Sequence, residues 1–187
     1  RAIDPCPCGR AIVKSLESSV SRRVAALEPA VVSVPIFESG SARNVIPGTA
    51  RLGGTARSFS PHIRKLLEDS IREVATSTAM AYGCAIEIDW QPGYPPTVNH
   101  ADESSRAAAV AAHILGTENI ITDLPPSMGA EDFAYMLAVK PGSYIWLGAG
   151  PAKNGAMLHN DRYDFNDDVL ATGASYWARL VESELPK

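Results

Sequence analysis

The sequence has no block of basic residues. Its 187 residues include 17 lysines and arginines against 21 aspartates and glutamates, which gives a formal net charge of −4 at neutral pH. Positive charge is nowhere clustered or interleaved with aromatic residues, so the chain has no surface suited to following a phosphate backbone. We therefore expect no nucleic-acid partner.

The sequence also lacks a long apolar run. No stretch approaches the roughly twenty apolar residues that a membrane-spanning helix needs. From Arg1 onward there is neither the charged nor the apolar segment of a signal peptide. We therefore expect a soluble, cytoplasmic protein with no membrane partner, although a chain that starts at Arg1 can have lost a targeting segment.

Cysteine is scarce, since Cys6, Cys8 and Cys84 are the only three. Three scattered cysteines cannot build a disulfide scaffold, which fits a reducing compartment. Cys84 alternates in phase with apolar residues and is interpreted as a small core residue. The Cys6-Pro7-Cys8 stretch offers no second half for a zinc site, so we expect a disordered or loosely capped terminus there and not a metal or redox role.

The first half of the sequence contains regularly spaced apolar residues. The spacing predicts a helix over 11–27, strands over 30–37 and 49–59, a helix from Ser60 to Tyr82 and a half-exposed strand over 84–90. One further strand before Arg1 would complete a split β-α-β-β-α-β sandwich, with two helices on one face of an antiparallel sheet.

Proline and glycine residues indicate where these elements begin, end or bulge. Pro35 within a strand indicates an edge or a bulge, and Gly53-Gly54 indicates a bulge or a close approach of two backbones. Ser60-Pro61 is typical of a helix start, and Gly83 of a helix end.

A linker follows at residues 91–97, where three prolines and a glycine occur within seven residues. We place the domain boundary there, with domains over 1–92 and 93–187. The second half is predicted to contain helices over 102–115, 130–139 and 167–184, the last with an apolar stripe, and a buried strand over 143–147. Because helices around one short strand do not close a core, this half is interpreted as one side of a larger α/β domain.

The second half also carries the polar groups of a possible site. A Gly-flanked acidic loop contains Glu131 and Asp132, and a later loop contains His159. Carboxylates and an imidazole on separate loops are typical of a metal or polar-substrate site. A catalytic zinc normally takes three or more protein ligands, and the sequence has no second His or Cys placed to complete such a set. We therefore predict part of an active site.

At these residues the chain resembles the zinc aminoacylase and hippurate hydrolase group of metallopeptidases. That group also includes the plant auxin-conjugate amidohydrolases and, more distantly, carboxypeptidase G and succinyl-diaminopimelate desuccinylase. The resemblance runs from about Ile3 to the C terminus and rests on motifs in family order and at family spacing. These motifs are Asn44-Val45-Ile46-Pro47, Gly54-Thr55-Ala56-Arg57-Ser58-Phe59, Gly93-Tyr94-Pro95-Pro96-Thr97-Val98-Asn99, Gly129-Ala130-Glu131-Asp132-Phe133, Leu147-Gly148 and Leu158-His159-Asn160.

The resemblance implies a catalytic α/β domain with a binuclear zinc-type centre, interrupted by a ferredoxin-like α+β lid that also forms the homodimer. Residues 1–92 correspond to most of the lid, without its first strand, and 93–187 to the C-terminal part of the metallopeptidase α/β catalytic domain. Family members carry a Cys-Gly-His motif, a Glu-Glu pair and another His upstream of the position of Arg1, and none is present here. The divalent metal, zinc or else manganese or cobalt, would therefore belong to the intact enzyme and not be retained by this chain alone.

The resemblance assigns roles to four residues. His159 corresponds to the C-terminal metal ligand, the alternative being a loop histidine satisfied by backbone. Glu131 would line the substrate pocket, the alternative being a carboxylate that complements a helix dipole. Asn44 and Arg57 correspond to a substrate-facing pair on the lid, since an amide can donate to an oxyanion and a guanidinium can clamp a carboxylate. An arginine on a strand can instead pair with a surface acid.

No catalytic residue is assigned within this chain, because the family's general base lies upstream. His62, His100 and His113 are interpreted as structural or solvated. In the intact protein the implied reaction is hydrolysis of an N-acyl amino acid or a related amide by metal-activated water. The alternative is a non-catalytic dimerisation module or truncated remnant, and the sequence upstream of Arg1 in the natural gene distinguishes the two.

Overall fold

The computed structural model describes residues 3–150 and 155–185. Within helix α1 the side chains of residues 19–21 are not described, so the predicted packing of Val20 lies outside the description. The chain divides into two compact units. The first contains the residues up to Pro96 together with Met128–Ala130, and the second contains Thr97–Ser127 and the residues from Glu131 onward.

Helix α1 spans Pro5–Arg23 and therefore starts and ends earlier than predicted. The expectation of a loosely capped terminus is wrong, because Asp4 Oδ1 accepts a hydrogen bond from the Cys6 amide at 2.9 Å and acts as an N-cap. Prolines fit the first turn of a helix, where no backbone N–H is needed. The early end leaves Leu27, the last residue of the predicted helix, 96% exposed.

Strands β1 (Ala30–Ser39) and β2 (Ala50–Ser58) form an antiparallel hairpin. The register shifts between Ser33 and Ile36, so Pro35 lies in a bulge, as predicted. The predicted close approach at Gly53-Gly54 is also confirmed. A Cβ at Gly54 would lie 2.2 Å from the Ser33 carbonyl oxygen, so only glycine fits there without a shift of the backbone.

Helix α2 spans Pro61–Ala81 and has the predicted start and end. The Ser60 hydroxyl accepts a hydrogen bond from the Ile63 amide at 3.4 Å, and Gly83 has a φ of +69°. The core of the first unit joins both helices and both strands. Its buried members are Cys8, Ile12, Leu16, Ala75 and Ala79, against which Val34, Leu52, Ile71, Val74, Cys84 and Ile88 pack.

The predicted strand over residues 84–90 is not formed as a strand. Cys84 and Ile88 do pack against the core, in keeping with the alternation. However, the described part of the chain has a sheet of two strands only, β1 and β2, and gives residues 84–90 no neighbour with which to form a ladder. The first unit is therefore an α+β unit with a two-stranded sheet.

The second unit is built of helices. They are α3 (Ala101–Leu115), α4 (Phe133–Leu137) and α5 (Leu170–Glu184), with 3₁₀ turns at Thr117–Asn119 and Asp167–Val169. Gly116 ends α3 with a φ of +85°, directly after the predicted helix range of 102–115. The buried residues of this unit are Ala107, Val110, Ala134, Leu137 and Tyr176.

Two predictions for the second unit are wrong. Residues 143–147 do not form a buried strand, since Trp146 is 67% exposed. Much of the apolar stripe of α5 is also exposed, including Leu170, Trp177 and Val181. An apolar stripe becomes core only when a second layer covers it, and the described residues of this unit supply no such layer.

No described helix combines the length and the apolar character needed to cross a membrane.

Candidate functional site

His159 lies at the tip of a turn in the second unit. The Asn160 amide donates to the Met157 carbonyl at 3.2 Å, which places Leu158 and His159 at the two central positions of the turn. His159 has a φ of +66°, a left-handed conformation that costs a residue with a Cβ on the order of 1 kcal/mol. Its side chain is exposed, and no hydrogen bond or ion pair to the imidazole occurs among the described residues. The turn therefore presents an imidazole that has no hydrogen-bond partner among the described residues.

The surroundings of His159 do not complete a metal site. Over residues 3–150 and 155–185, no group of three or more His, Cys, Asp or Glu side chains is placed to hold a metal ion. The other histidines are elsewhere: His62 is exposed on α2, His113 is exposed on α3, and His100 Nδ1 accepts the Gly142 amide at 3.2 Å. The imidazole of His159 is a suitable donor for a divalent metal, but the described residues alone do not provide the remaining ligands.

Glu131 uses both carboxylate oxygens in contacts within the second unit. Oε1 accepts the Phe133 amide at 3.2 Å, at the start of α4, and Oε2 accepts the Tyr144 hydroxyl at 2.9 Å. The hydrogen bond from the Phe133 amide, and then that from Tyr144, hold the pKa of Glu131 below its ordinary value. The same carboxylate raises the pKa of Tyr144. Glu131 thus fixes the end of the acidic loop.

Tyr144 is held in turn by Asn99. The Asn99 side-chain amide donates to the Tyr144 carbonyl and accepts the Tyr144 backbone amide, both at 2.8 Å. The Tyr144 ring also packs on Phe133, with ring centroids 5.6 Å apart. Sequence reasoning missed Asn99 and Tyr144 as a pair, because no sequence spacing links residues that are far apart in the chain. Their only signal was that Asn99 ends one of the family motifs.

Replacing Tyr144 by Phe should loosen the acidic loop. The carboxylate of Glu131 would lose one donor, so its pKa should rise above the wild-type value, and the thermal midpoint should fall. Since the folded-state pKa of Glu131 is depressed, the contact stabilises the fold above about pH 4.3 and is lost as the pH falls through the folded-state pKa. NMR titration of the Glu131 carboxyl and thermal unfolding against pH measure both effects.

Tyr82→Phe is the matched control. The Tyr82 ring is 47% exposed, and its hydroxyl has no hydrogen bond among the described residues. Two outcomes would contradict the role of the Glu131 contact. One is that Tyr82→Phe loses as much thermal stability as Tyr144→Phe. The other is that the loss caused by Tyr144→Phe does not become smaller below about pH 4.

Asn44 and Arg57 belong to the first unit. Asn44 lies in the loop between β1 and β2, where its exposed side chain forms no hydrogen bond among the described residues. Arg57, on β2 opposite Val31, donates from Nη1 to the Met128 carbonyl at 2.7 Å. The described partner of Arg57 is thus a backbone carbonyl at the start of the acidic loop, and no ion pair of Arg57 occurs among the described residues. One guanidinium nitrogen is engaged and the remaining N–H groups can serve another acceptor.

Within each unit, the described residues show no hydrogen bond between the candidate site residues. In the first unit none links Asn44 with Arg57, and in the second none links Glu131 with His159, among the contacts of the described residues. What the structure adds is a partner for two of these residues, each within its own unit. In the first unit Arg57 donates to the Met128 carbonyl, and in the second Glu131 accepts from the Phe133 amide and the Tyr144 hydroxyl.

Comparison with known proteins identifies similar sequences over almost the whole chain. The pattern of peptidase family M20/M25/M40 matches residues 9–183. The IAA-amino acid hydrolase ILR1-like 2 of Arabidopsis thaliana is 36% identical over 184 residues, covering 96% of this chain and 41% of the relative. The hippurate hydrolase of Campylobacter jejuni is 34% identical over 181 residues, covering 97% of this chain and 46% of the relative.

A solved structure is also similar. The YXEP protein of Bacillus subtilis, described as a dinuclear metal binding peptidase from the M20 family, is 27% identical and superposes with a TM-score of 0.75. The match covers 98% of this chain and 47% of that protein. The chain thus spans less than half the length of these three relatives.

Proposed function

The chain belongs to peptidase family M20/M25/M40, and from this membership we propose that it is part of an amidohydrolase that cleaves N-acyl amino acids or related amides. The family match over residues 9–183 carries the proposal, and it supports a metal-dependent hydrolase as the parent protein. The substrate class follows from the relatives, whose names specify hippurate and IAA-amino acid as the compounds hydrolysed.

His159 is proposed as one ligand of the divalent metal, which is zinc or else manganese or cobalt. The support is its exposed imidazole, which the turn holds in a left-handed conformation and leaves unengaged among the described residues. Because no further ligands surround it in the described part of the chain, we propose that this chain alone does not retain the metal.

The substrate contacts are proposed for Asn44, Arg57 and Glu131. The Asn44 amide is exposed and unengaged among the described residues, so it is free to donate to a substrate oxygen. Arg57 has N–H groups left over after its bond to Met128. Glu131 would act chiefly by holding its loop, since both of its oxygens already accept hydrogen bonds from Phe133 and Tyr144.

The first unit is proposed to be most of a ferredoxin-like lid over residues 1–92 that forms a homodimer. The support is strand β1, whose outer edge has no partner among the described residues and which exposes Val31, Ile36 and Phe37. We expect sedimentation at micromolar concentration to show a dimer. A strictly monomeric, well-folded chain would contradict the dimer. A cytoplasmic location is proposed from the three unpaired thiols.

The test of the proposed function compares the isolated chain with the protein encoded by the complete gene, called here the complete protein. Both are assayed with N-acetyl and N-benzoyl amino acids in the presence of zinc, manganese or cobalt. We expect turnover by the complete protein and none by the isolated chain. If the isolated chain showed turnover, and if both a chelator and His159→Ala abolished it, the proposal that this chain alone is inactive would be overturned.

The alternative function is a non-catalytic dimerisation module or truncated remnant. The exposed apolar edge of β1 favours association, but it does not require catalysis. A complete gene without an upstream Cys-Gly-His and Glu-Glu segment, whose product is dimeric and inactive on all these substrates, would decide for the module.

A further inference from the structure

The two residues that precede α3 hold the chain segment over residues 142–144. The Asn99 side-chain amide engages both backbone polar groups of Tyr144, at 2.8 Å each. His100 engages both backbone groups of Gly142, since its backbone amide donates to the Gly142 carbonyl at 3.1 Å and its Nδ1 accepts the Gly142 amide at 3.2 Å. This segment has no strand partner among the described residues. Asn99 and His100 therefore supply the hydrogen bonds that a neighbouring strand would otherwise supply.

The chemistry of Asn99 suits its contact with Tyr144. A primary amide presents a donor and an acceptor side by side, which matches the carbonyl and the N–H of one residue. Only one orientation of the amide forms both bonds, because the reverse would place oxygen against oxygen and N–H against N–H. Asn99 thus fixes the position and the direction of the Tyr144 backbone, although its own side chain is exposed.

The Tyr144 side chain carries this constraint to the acidic loop. A backbone held at both polar groups leaves the tyrosine only its side-chain torsions, and packing on Phe133 restricts the ring further. The hydroxyl then donates to Glu131 Oε2 at 2.9 Å. Asn99 therefore reaches Glu131 through one intermediate residue, with no described hydrogen bond of its own to that carboxylate.

We propose that Asn99 is a positioning residue, which sets the place of Glu131 in the substrate pocket by way of Tyr144. This inference rests on the proposed function, in which Glu131 lines that pocket. Asn99 touches neither the substrate nor the metal in this scheme. Its effect on the reaction is to hold the tyrosine whose hydroxyl holds the carboxylate.

Ser104 provides the matched control. Its hydroxyl oxygen lies 3.2 Å from that of Ser143, so it holds the same segment of chain as Asn99 does. Ser104 has no described hydrogen bond to Tyr144. If Asn99 served only to attach this segment, Ser104→Ala and Asn99→Ala would have similar consequences.

NMR titration of the Glu131 carboxyl on this chain tests the contacts without reference to activity. In Asn99→Ala we expect the pKa of Glu131 to rise toward its ordinary value of about 4.3, because the Tyr144 hydroxyl is no longer held at the carboxylate. Ser104→Ala should leave the pKa at the wild-type value. In a Tyr144→Phe background, Asn99→Ala should cause no further rise, since the hydroxyl through which it acts is already absent.

Steady-state kinetics on the complete protein test the consequence for the substrate. With N-acetyl and N-benzoyl amino acids, Asn99→Ala should raise KM by about 2-fold to 10-fold, the change that corresponds to the net value of one hydrogen bond. The kcat and the metal content should stay at wild-type values, because a lost pocket contact weakens the ground state and the transition state equally. Ser104→Ala should leave KM unchanged.

Four results would overturn the proposal: an unchanged pKa of Glu131 in Asn99→Ala, an equal rise in Ser104→Ala, a rise that adds to that of Tyr144→Phe, or an unchanged KM. Asn99→Ser is a second neutral variant, which decides the matter if circular dichroism shows Asn99→Ala to be unfolded. If the complete wild-type protein hydrolyses none of these compounds, the proposed function fails, while the titration still decides whether Asn99 positions Glu131.

Discussion

His159→Ala should remove metal and activity together in the complete protein. The side chain has no other described contact to lose, so the substitution should leave the fold intact and act on the metal alone. Loss of residues that only orient metal ligands lowers metal affinity or activity by about 10-fold to 100-fold. Loss of a ligand itself should therefore lower turnover by more than about 100-fold. Metal analysis beside steady-state kinetics measures both quantities.

His62→Ala is the control for this experiment. His62 is likewise exposed, but it lies on α2 in the first unit, so metal content and turnover should stay at wild-type values. A His159→Ala protein that keeps its full metal content would show that His159 is an ordinary loop histidine, and the proposed ligand would have to be abandoned.

Asn44→Ala should lower the turnover of the complete protein without removing its metal, unlike His159→Ala. Asn44 is proposed to touch the substrate or the oxyanion, and it has no proposed contact with the metal. Removal of one preorganised oxyanion donor lowers turnover by about 100-fold to 1,000-fold. We expect a loss of that size with metal content unchanged, and with thermal stability unchanged because the side chain is exposed and without a described hydrogen bond.

Ser41→Ala is a matched control, since Ser41 is an exposed residue of the same loop. It should keep full turnover. Two outcomes would contradict a direct role of the Asn44 amide. One is full activity of Asn44→Ala. The other is a loss of activity in Ser41→Ala equal to that in Asn44→Ala. The two alanine variants at His159 and Asn44 thus separate metal binding from substrate binding.

Local chemistry explains which elements the sequence predicted well. Ser60-Pro61 starts α2 and Gly83 ends it, because capping and left-handed turns depend on residues adjacent in the chain. The bulge at Pro35 is similarly predictable, since proline cannot donate to a ladder wherever the strand lies. The family motifs, which predicted the peptidase family, are also short and continuous.

The wrong predictions concern partners that are distant in the chain. Residues 84–90 have the alternation of a strand, and residues 143–147 have its apolar content, but ladders and burial need a neighbour that the described residues do not supply. For the same reason the sequence did not show that Glu131 is held by Tyr144 or that Arg57 reaches the Met128 carbonyl.

The sequence by itself determined the start and end of α2, the two hairpin strands, the family and the identity of the candidate residues, because each depends on neighbours along the chain. Only the tertiary structure decided which side chains are already engaged. It leaves the His159 imidazole and the Asn44 amide without a described hydrogen bond, and it fixes both oxygens of Glu131. The physical reason is that hydrogen bonds form through space, between residues whose separation in sequence carries no information about their distance.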